Sequence, residues 1–448
     1  MSGIPKGWVY TTIANITSDC VQKVPAADEE FQYIDISSID RSEKTIVSPQ
    51  ALVGANAPSR ARKLVAAGDV LVSMTRPNMN AVAMVPEKLN KQIASTGFDV
   101  LRANGIEPRW LFFLVRAQYF INSMSELVQG ALYPAIRSKD VRGYEAPLAP
   151  LNEQKRIADK LDTVLARVDA CRDRLDRVPA ILKRFRQSVL AAATSGKLTE
   201  EWRETAQGVA EWHVLKISEL VMANGLFSDG DWIESKDQDP NGDIRLIQLA
   251  DIGDGCFVDK SKRFINEDAF SRIRCTQLHT GDVLIARMPD PLGRACLFPD
   301  IGQRSITAVD VAILRPNNSD IDNRWLVYAI NAPMIRGQME LLSSGTTRQR
   351  VTRKNLGGIE LGVPSIEEQR EIVRRVESLF AYADRLEARY ANGRAQTEHL
   401  TPALLAKAFR GELVPQDPND EPASVLLERI RAERVIKPAK PSRGLKVS

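Results

Sequence analysis

Cysteine is scarce in this chain and histidine scarcer. Five cysteines are scattered over 448 residues, at Cys20, Cys171, Cys256, Cys275 and Cys296, with no C-x-x-C pair. That pattern fits reduced thiols and excludes a disulfide frame or a zinc site. His213, His279 and His399 are the only histidines, too few and too far apart to build a metal centre or a Ser/His/Asp or Cys/His constellation. No apolar run approaches the roughly 20 residues that a membrane helix requires. The patch Trp110–Val115 is followed at once by Arg116, and Met1–Lys6 has no apolar segment of the kind a signal peptide carries. The expectation is a cytoplasmic protein.

Catalytic motifs are missing too. The nearest approach to a phosphate-cradling loop is Thr194-Ser-Gly-Lys-Leu-Thr199, but position 191, where the leading Gly belongs, is Ala. It reads as a helix end with its Gly stop signal. An adenine methyltransferase would carry N/D-P-P-Y/F; the closest string, Asn331-Ala-Pro-Met334, lacks the second Pro and the aromatic. Gly253-Asp-Gly255 reads as a turn. The expectation is a binding protein with no catalytic residue and no metal or cofactor of its own. The formal charge of +4 and the pI near 8.7 permit nucleic-acid binding without demanding it.

What the chain does contain is itself, twice. Residues 153–198 align with 368–413 without a gap. Glu153-Gln154 answers to Glu368-Gln369, Ile157 to Ile372, Leu161 to Val376, and Ser195-Gly-Lys-Leu198 to Arg410-Gly-Glu-Leu413. With small gaps the preceding stretches correspond as well: Trp8 with Trp212, Gly68-Asp-Val-Leu-Val72 with Gly281-Asp-Val-Leu-Ile285, Arg109-Trp110 with Arg324-Trp325, and Gly130–Ile136 with Gly345–Val351. The division is 1–150, 151–203, 204–363 and 364–413, with a basic tail over 414–448. Two copies are too few for a stacked solenoid.

The segments 151–203 and 364–413 carry a heptad seam. Apolar or small residues fall at 157, 161, 164, 168, 171, 175, 178, 182, 185, 189 and 192, with Arg, Lys, Asp and Glu between them. The second seam is less pure, with Leu400 and Lys407 among its positions. Both predict long helices that pair with each other as an antiparallel intramolecular coiled coil. Residues 157–192 would span roughly 54 Å at about 1.5 Å per residue. Pro179 and Gly393, near corresponding midpoints, predict a kink or break in each. The segments 1–150 and 204–363 hold short Val/Ile/Leu runs punctuated by Gly, Pro, Asn and Asp, with helical stretches after Trp110 and Trp325. Each is expected to be a small α+β domain with a strongly curved sheet, so the fold class is α+β.

Two loops in each domain concentrate donors suited to phosphates and base edges. In the second domain Thr346, Thr347, Arg348, Gln349, Arg350, Arg353 and Lys354 follow Gly345. Arg can grip guanine bidentately, Gln can grip adenine, and Lys or Thr can hold phosphates. The first-domain equivalent carries Tyr133, Arg137 and Lys139. The other loop follows the Gly-Asp-Val-Leu strand and carries Arg76, Asn78 and Asn80 in the first domain, and Arg287 and Arg294 in the second. Two readers with different side chains would read two different sequences. A plainer explanation is a pair of surface turns leading into capped short helices, with charges that only solvate them. Arg60–Lys63 and Arg272–Arg274 are basic clusters that could steer a phosphate backbone or lie idle in solvent.

Over nearly its full length the sequence resembles the specificity subunits of Type I restriction–modification systems. The twin Pro-x(2–3)-Glu-Gln-x-x-Ile openings, Pro150–Ile157 and Pro364–Ile372, carry the resemblance. So do the heptad helices ending in Leu-Ala-Ala-Ala-Thr-Ser-Gly-Lys-Leu198 and Leu-Ala-Lys-Ala-Phe-Arg-Gly-Glu-Leu413, and the twin Gly-Asp-Val-Leu strands. The resemblance implies two target-recognition domains, each reading half of a bipartite double-stranded DNA site. It implies a helical spacer that docks methyltransferase subunits, which bind S-adenosylmethionine and methylate adenine. It further implies a restriction motor-nuclease subunit that uses ATP and Mg. Pro179, Pro402 and the tail (Arg429, Arg431, Arg434, Lys437, Lys440, Arg443, Lys446) depart from the commonest pattern. The tail could contact DNA or be disordered after Pro438. The alternative is a non-catalytic coiled-coil scaffold that has lost DNA specificity; Arg348→Ala with Arg350→Ala would then leave DNA retention unchanged.

Overall fold

The computed structural model describes residues 4–128, 134–205, 211–289, 292–345 and 349–436. The chain forms two compact units, Met1–Leu175 with Asn392–Ser448, and Asp176–Ala391. Two helices of 44 residues, Leu151–Thr194 and Ile366–Phe409, each contribute one half to each unit.

In the first unit the strand Val70–Ser73 is buried along its whole length, which explains why its residues are apolar at consecutive positions rather than alternating. It sits second in a four-stranded sheet ordered Val82–Met84, Val70–Ser73, Phe98–Ala103, Thr17–Ser18. A five-stranded sheet lies beside it in the chain fold, with one parallel pairing, Ile93–Ser95 against Glu30–Ile34. The second unit repeats the plan. Val283–Ala286 is again fully buried, in a four-stranded sheet with Leu226–Asp229, Val311–Arg315 and Ala295–Leu297, and Ile244–Ile247 again pairs in parallel, with Ser305–Thr307. The α+β class is as the sequence predicts.

Within each unit the helix halves run antiparallel. In the first, Ile157, Leu161 and Leu165 share a core with Leu405, Ala408 and Phe409, while Leu175 Cδ2 lies 3.9 Å from the place a Cβ of Gly393 would take. In the second, Val189 and Leu190 pack with Ile372 and Val376, Arg186 reaches Asp384 at 2.6 Å, and Arg375 donates to the carbonyl of Leu198 at 2.8 Å. Neither helix is broken at these positions: both run through Pro179, Gly393 and Pro402 without interruption. At Gly393 the carbonyl also accepts from Thr397 Oγ1 at 2.8 Å. Leu400 and Lys407 are exposed rather than on the seam; burial shifts there to Leu405 and Ala408, where the helix meets its domain.

Gly196 and Gly411 adopt the left-handed conformation (φ 77° and 71°) just past the two helix ends. The string 194–199 is thus a helix stop. Glu-Gln joins each helix to its domain. Trp8 Nε1 donates to Glu153 at 2.9 Å and Trp212 Nε1 to Glu368 at 3.0 Å. Gln154 and Gln369 accept from the N–H groups of Glu107 and Asp322, the N-caps of the helices Pro108–Leu114 and Asn323–Asn331. The described part of the tail includes a helix, Ala423–Ile436, whose Leu426, Leu427 and Ile430 enter the first unit's core. Gly105 (φ +74°) lets it approach, because a Cβ there would lie 2.7 Å from Ile430 Cγ1. Among the described residues no helix is long and apolar enough to cross a membrane, and no group of three or more His, Cys, Asp or Glu could hold a metal.

Candidate nucleic-acid interface

Each unit brings its two predicted loops together by the same backbone bond. In the first, the chain leaves Val70–Ser73 and the N–H of Ile136 donates to the carbonyl of Met74 at 2.9 Å; in the second, the N–H of Val351 donates to Arg287, which follows Val283–Ala286, at 3.0 Å. These loops are some 60 residues apart in sequence, so the rigid end of a buried strand sets the position of both.

The first-unit loop is unusual in backbone. Arg76 and Asn80 both have positive φ (50° and 43°) and bracket the 3-10 turn Pro77–Met79. Non-glycine residues in this region cost on the order of 1 kcal/mol each and persist only where neighbours hold them. Arg76 N–H donates to Pro134 at 2.8 Å and Thr75 bridges to Ala135. Asn80 is buried at 7% exposure, its Nδ2 donating to the carbonyl of Val115 at 2.8 Å, and Lys44 Nζ donates to the Asn80 carbonyl at 2.6 Å. Asn80 therefore shapes the loop, whereas Arg76 and Asn78 are exposed. Arg137 and Lys139 are also exposed, at the start of the helix Ser138–Arg142, where the N–H of Arg137 donates to Asp140 at 2.8 Å. Tyr133 lies outside the described residues.

In the second unit Arg287 faces inward, at 1% exposure. Its Nη2 donates to the carbonyl of Val309, and its Nη1 stands 3.5 Å from the Val351 carbonyl and 3.2 Å from Asp229 Oδ1. Burial pushes this guanidinium below its ordinary pKa, and the nearby Asp229 opposes the shift. Arg287 ties the two loops together from inside. Arg294 is half-buried, with Nη2 donating to the Leu249 carbonyl at 3.3 Å. Ser344 and Arg350 form a two-way backbone bridge (3.1 and 3.0 Å); Thr346, Thr347 and Arg348 lie outside the described residues. Gln349 is exposed and Arg350 half-buried. Arg353 and Lys354 are exposed on the helix Arg353–Gly357, which Thr352 caps by accepting from the N–H of Asn355 at 3.1 Å.

Among the described residues, the side chains of Arg76, Lys139, Arg353 and Lys354 have no carboxylate within ion-pairing distance. Exposed cations without internal partners are free to displace counterions from a phosphate backbone. Elsewhere in the same units arginines are committed: Arg102 to Asp69 at 2.7 Å, Arg142 to Asp99 at 3.1 Å, and Arg315 to Asp282 at 2.6 Å. Sequence reasoning missed two cations near the first loop, Lys44 and Arg116. Neither belongs to a basic run, and only the fold brings them together.

The described loops thus combine a rigid base, exposed unpaired cations and amide side chains, and they recur with different residues in the two repeats. The model of the Type I restriction modification DNA specificity domain matches residues 22–179 and again 210–392. A Type I restriction enzyme specificity subunit from Salmonella potsdam is 30% identical over 458 residues, covering 97% of this chain and 96% of that one. The crystal structure of the HsdS subunit from Thermoanaerobacter tengcongensis is similar with a TM-score of 0.66 at 28% identity, covering 92% of this chain and 98% of the other. A chain solved in work on complex assembly and conformational transition of the type I R-M system gives a TM-score of 0.71 at 27% identity, covering 92% of this chain and all of that one. The chain belongs to the Type I restriction–modification DNA-specificity family and carries two copies of its domain.

Proposed function

We propose that this chain selects a bipartite double-stranded DNA site, its domains at 1–150 and 204–363 each reading one half through its pair of loops. The observation that carries this is the recurrence of one loop scaffold, locked by Ile136 to Met74 and by Val351 to Arg287, with different exposed side chains in each copy. A shared scaffold fixes how each domain approaches a groove, while the side chains decide what it reads. The chain itself performs no chemistry in this reading. Methyltransferase subunits bind S-adenosylmethionine and methylate adenine, and a motor-nuclease subunit uses ATP and Mg to cleave unmodified DNA, all in the cytoplasm. In this reading the two long helices serve as the spacer between the readers, so the intervening base pairs need no contact.

Single-molecule methylome sequencing of cells expressing this chain with its methyltransferase partner tests the reading. A bipartite N6-methyladenine motif that disappears when this gene is deleted is the expected result. A complex that assembles yet produces no new motif would overturn it.

A further inference from the structure

Each unit contains a cavity where its domain meets its helix halves, and the two cavities are lined by corresponding positions. The first has a volume of about 320 Å³ and the second about 550 Å³. Arg116 of the first stands where Asn331 stands in the second, Asp169 where Asp384 does, and Arg172 where Glu387 does. The place is duplicated, but the charges are not.

In the second cavity the arginines are internally neutralised: Arg186 reaches Asp384 at 2.6 Å and Glu387 at 2.8 Å, and Arg336 pairs with Asp254. In the first, Arg172 pairs with Asp169 at 2.8 Å, and Glu43, the other carboxylate in the lining, is exposed. That leaves Lys44 and Arg116, which have no carboxylate within ion-pairing distance among the described residues. Among the described residues Lys44 Nζ bonds only the Asn80 carbonyl, and the Arg116 guanidinium lies 4.8 Å from the ring centre of Phe112, an arrangement that uses its face and leaves its N–H groups available. Burial and the Arg116 charge push the Lys44 ammonium down to about 8, and burial pushes Arg116 down as well. Asp169, Asp162 and Glu43 act on Arg116, and Asp40 on Lys44, only from beyond ion-pairing distance, so two half-buried cations side by side favour a further anion at close range. Asn78 of the exposed loop lines the same cavity, so an anion on whatever that loop meets can reach the pair. Asn80 Oδ1, buried and without a partner, calls for a water alongside.

We propose that Lys44 and Arg116 form a seat for one backbone phosphate of the DNA held by the first unit. The seat rests on the DNA-binding reading above and gives the first repeat an electrostatic anchor that its twin has replaced with internal ion pairs. Lys44→Gln removes the charge while keeping a donor for the Asn80 carbonyl, and Lys44→Arg restores the charge. The test measures DNA affinity of the full chain, assembled with its methyltransferase subunit, as a function of salt on its own motif and on unrelated DNA; thermal unfolding confirms that each variant is folded. Lys44→Gln should lower the slope of log K against log salt by about 0.9, the share of one phosphate contact. The ratio of specific to unrelated binding should stay unchanged, and Lys44→Arg should recover the slope; Arg116→Gln should lower it likewise. An unchanged slope would overturn the seat. So would relaxed selectivity, which would mark a base contact, or weakened subunit assembly at unchanged slope, which would mark a partner's carboxylate. If the unsubstituted complex showed no preference for any motif, the DNA-binding reading itself would fail instead.

Discussion

Glu153 and Glu368 hold the same position in the two repeats and show how one residue's worth depends on its partners. Glu368 is fully buried and satisfied three ways, by Trp212, by Thr199 Oγ1 at 2.6 Å and by Arg203 at 2.6 Å. Among the described residues Glu153 accepts from Trp8 alone and its buried Oε1 has no partner, and burial raises its carboxyl pKa. Replacing Glu368 by Gln strands the Arg203 charge and should cost about 2 kcal/mol, read as a fall in the urea midpoint. Glu153→Gln keeps an acceptor for Trp8 and should be nearly neutral near pH 4. A raised carboxyl binds its proton more tightly in the folded chain, so wild-type stability falls as pH rises from the ordinary carboxylate value through the raised one. The variant should therefore gain on the wild type between pH 4 and 7; a constant gap across that range would show that the carboxyl is not so perturbed. The repetition of Trp and Glu is legible in the sequence, but their bonding is not. Nothing in the spacing of Trp8 and Glu153, 145 positions apart, says that they meet. Arg287 shows the converse: an arginine beside a buried strand reads as a reader, yet the fold turns it inward, because position along the chain does not say which face a loop residue presents.

Among the elements, the long helices were the most legible, since a seam repeating every three or four residues specifies both a helix and its buried side. The seam is buried at Ile157, Leu161, Val168, Leu182 and Val189, but Cys171 is exposed. Leu161→Ala should cost about 3 kcal/mol, the usual penalty for emptying a closed core position. Cys171→Ala, at an equivalent seam position, should stay within about 0.5 kcal/mol. Urea denaturation of the two variants separates the cases, and equal losses would mean that the heptad alone decides burial. The seam fails at Leu400 and Lys407 for a physical reason: there the helix packs on the first domain as well as on the other helix, so the buried stripe follows that domain. The continuity through Pro179 was illegible because local propensity reads only the lost bond.

At the scale of the whole molecule, duplication implies two readers and a spacer. Inserting one heptad into both long helices lengthens each by about 10.5 Å, close to three base-pair steps of about 3.4 Å. The methylated motif should then keep both half-sites while its spacer grows by about three base pairs; unchanged spacing would remove the helices from that role. The duplication was legible because two copies share their order of landmarks. The divergence between the copies was not, because it lies in cavities and loop surfaces built from segments far apart in the chain. The most direct test of the central claim is the methylome motif of a chain altered in one repeat only, with Arg353→Ala and Lys354→Ala beside Gln349→Ala. Two independent readers predict that the second unit's half-site relaxes or is lost while the other half and the spacer stay the same. A motif unchanged at both halves, or altered at both alike, would contradict the account.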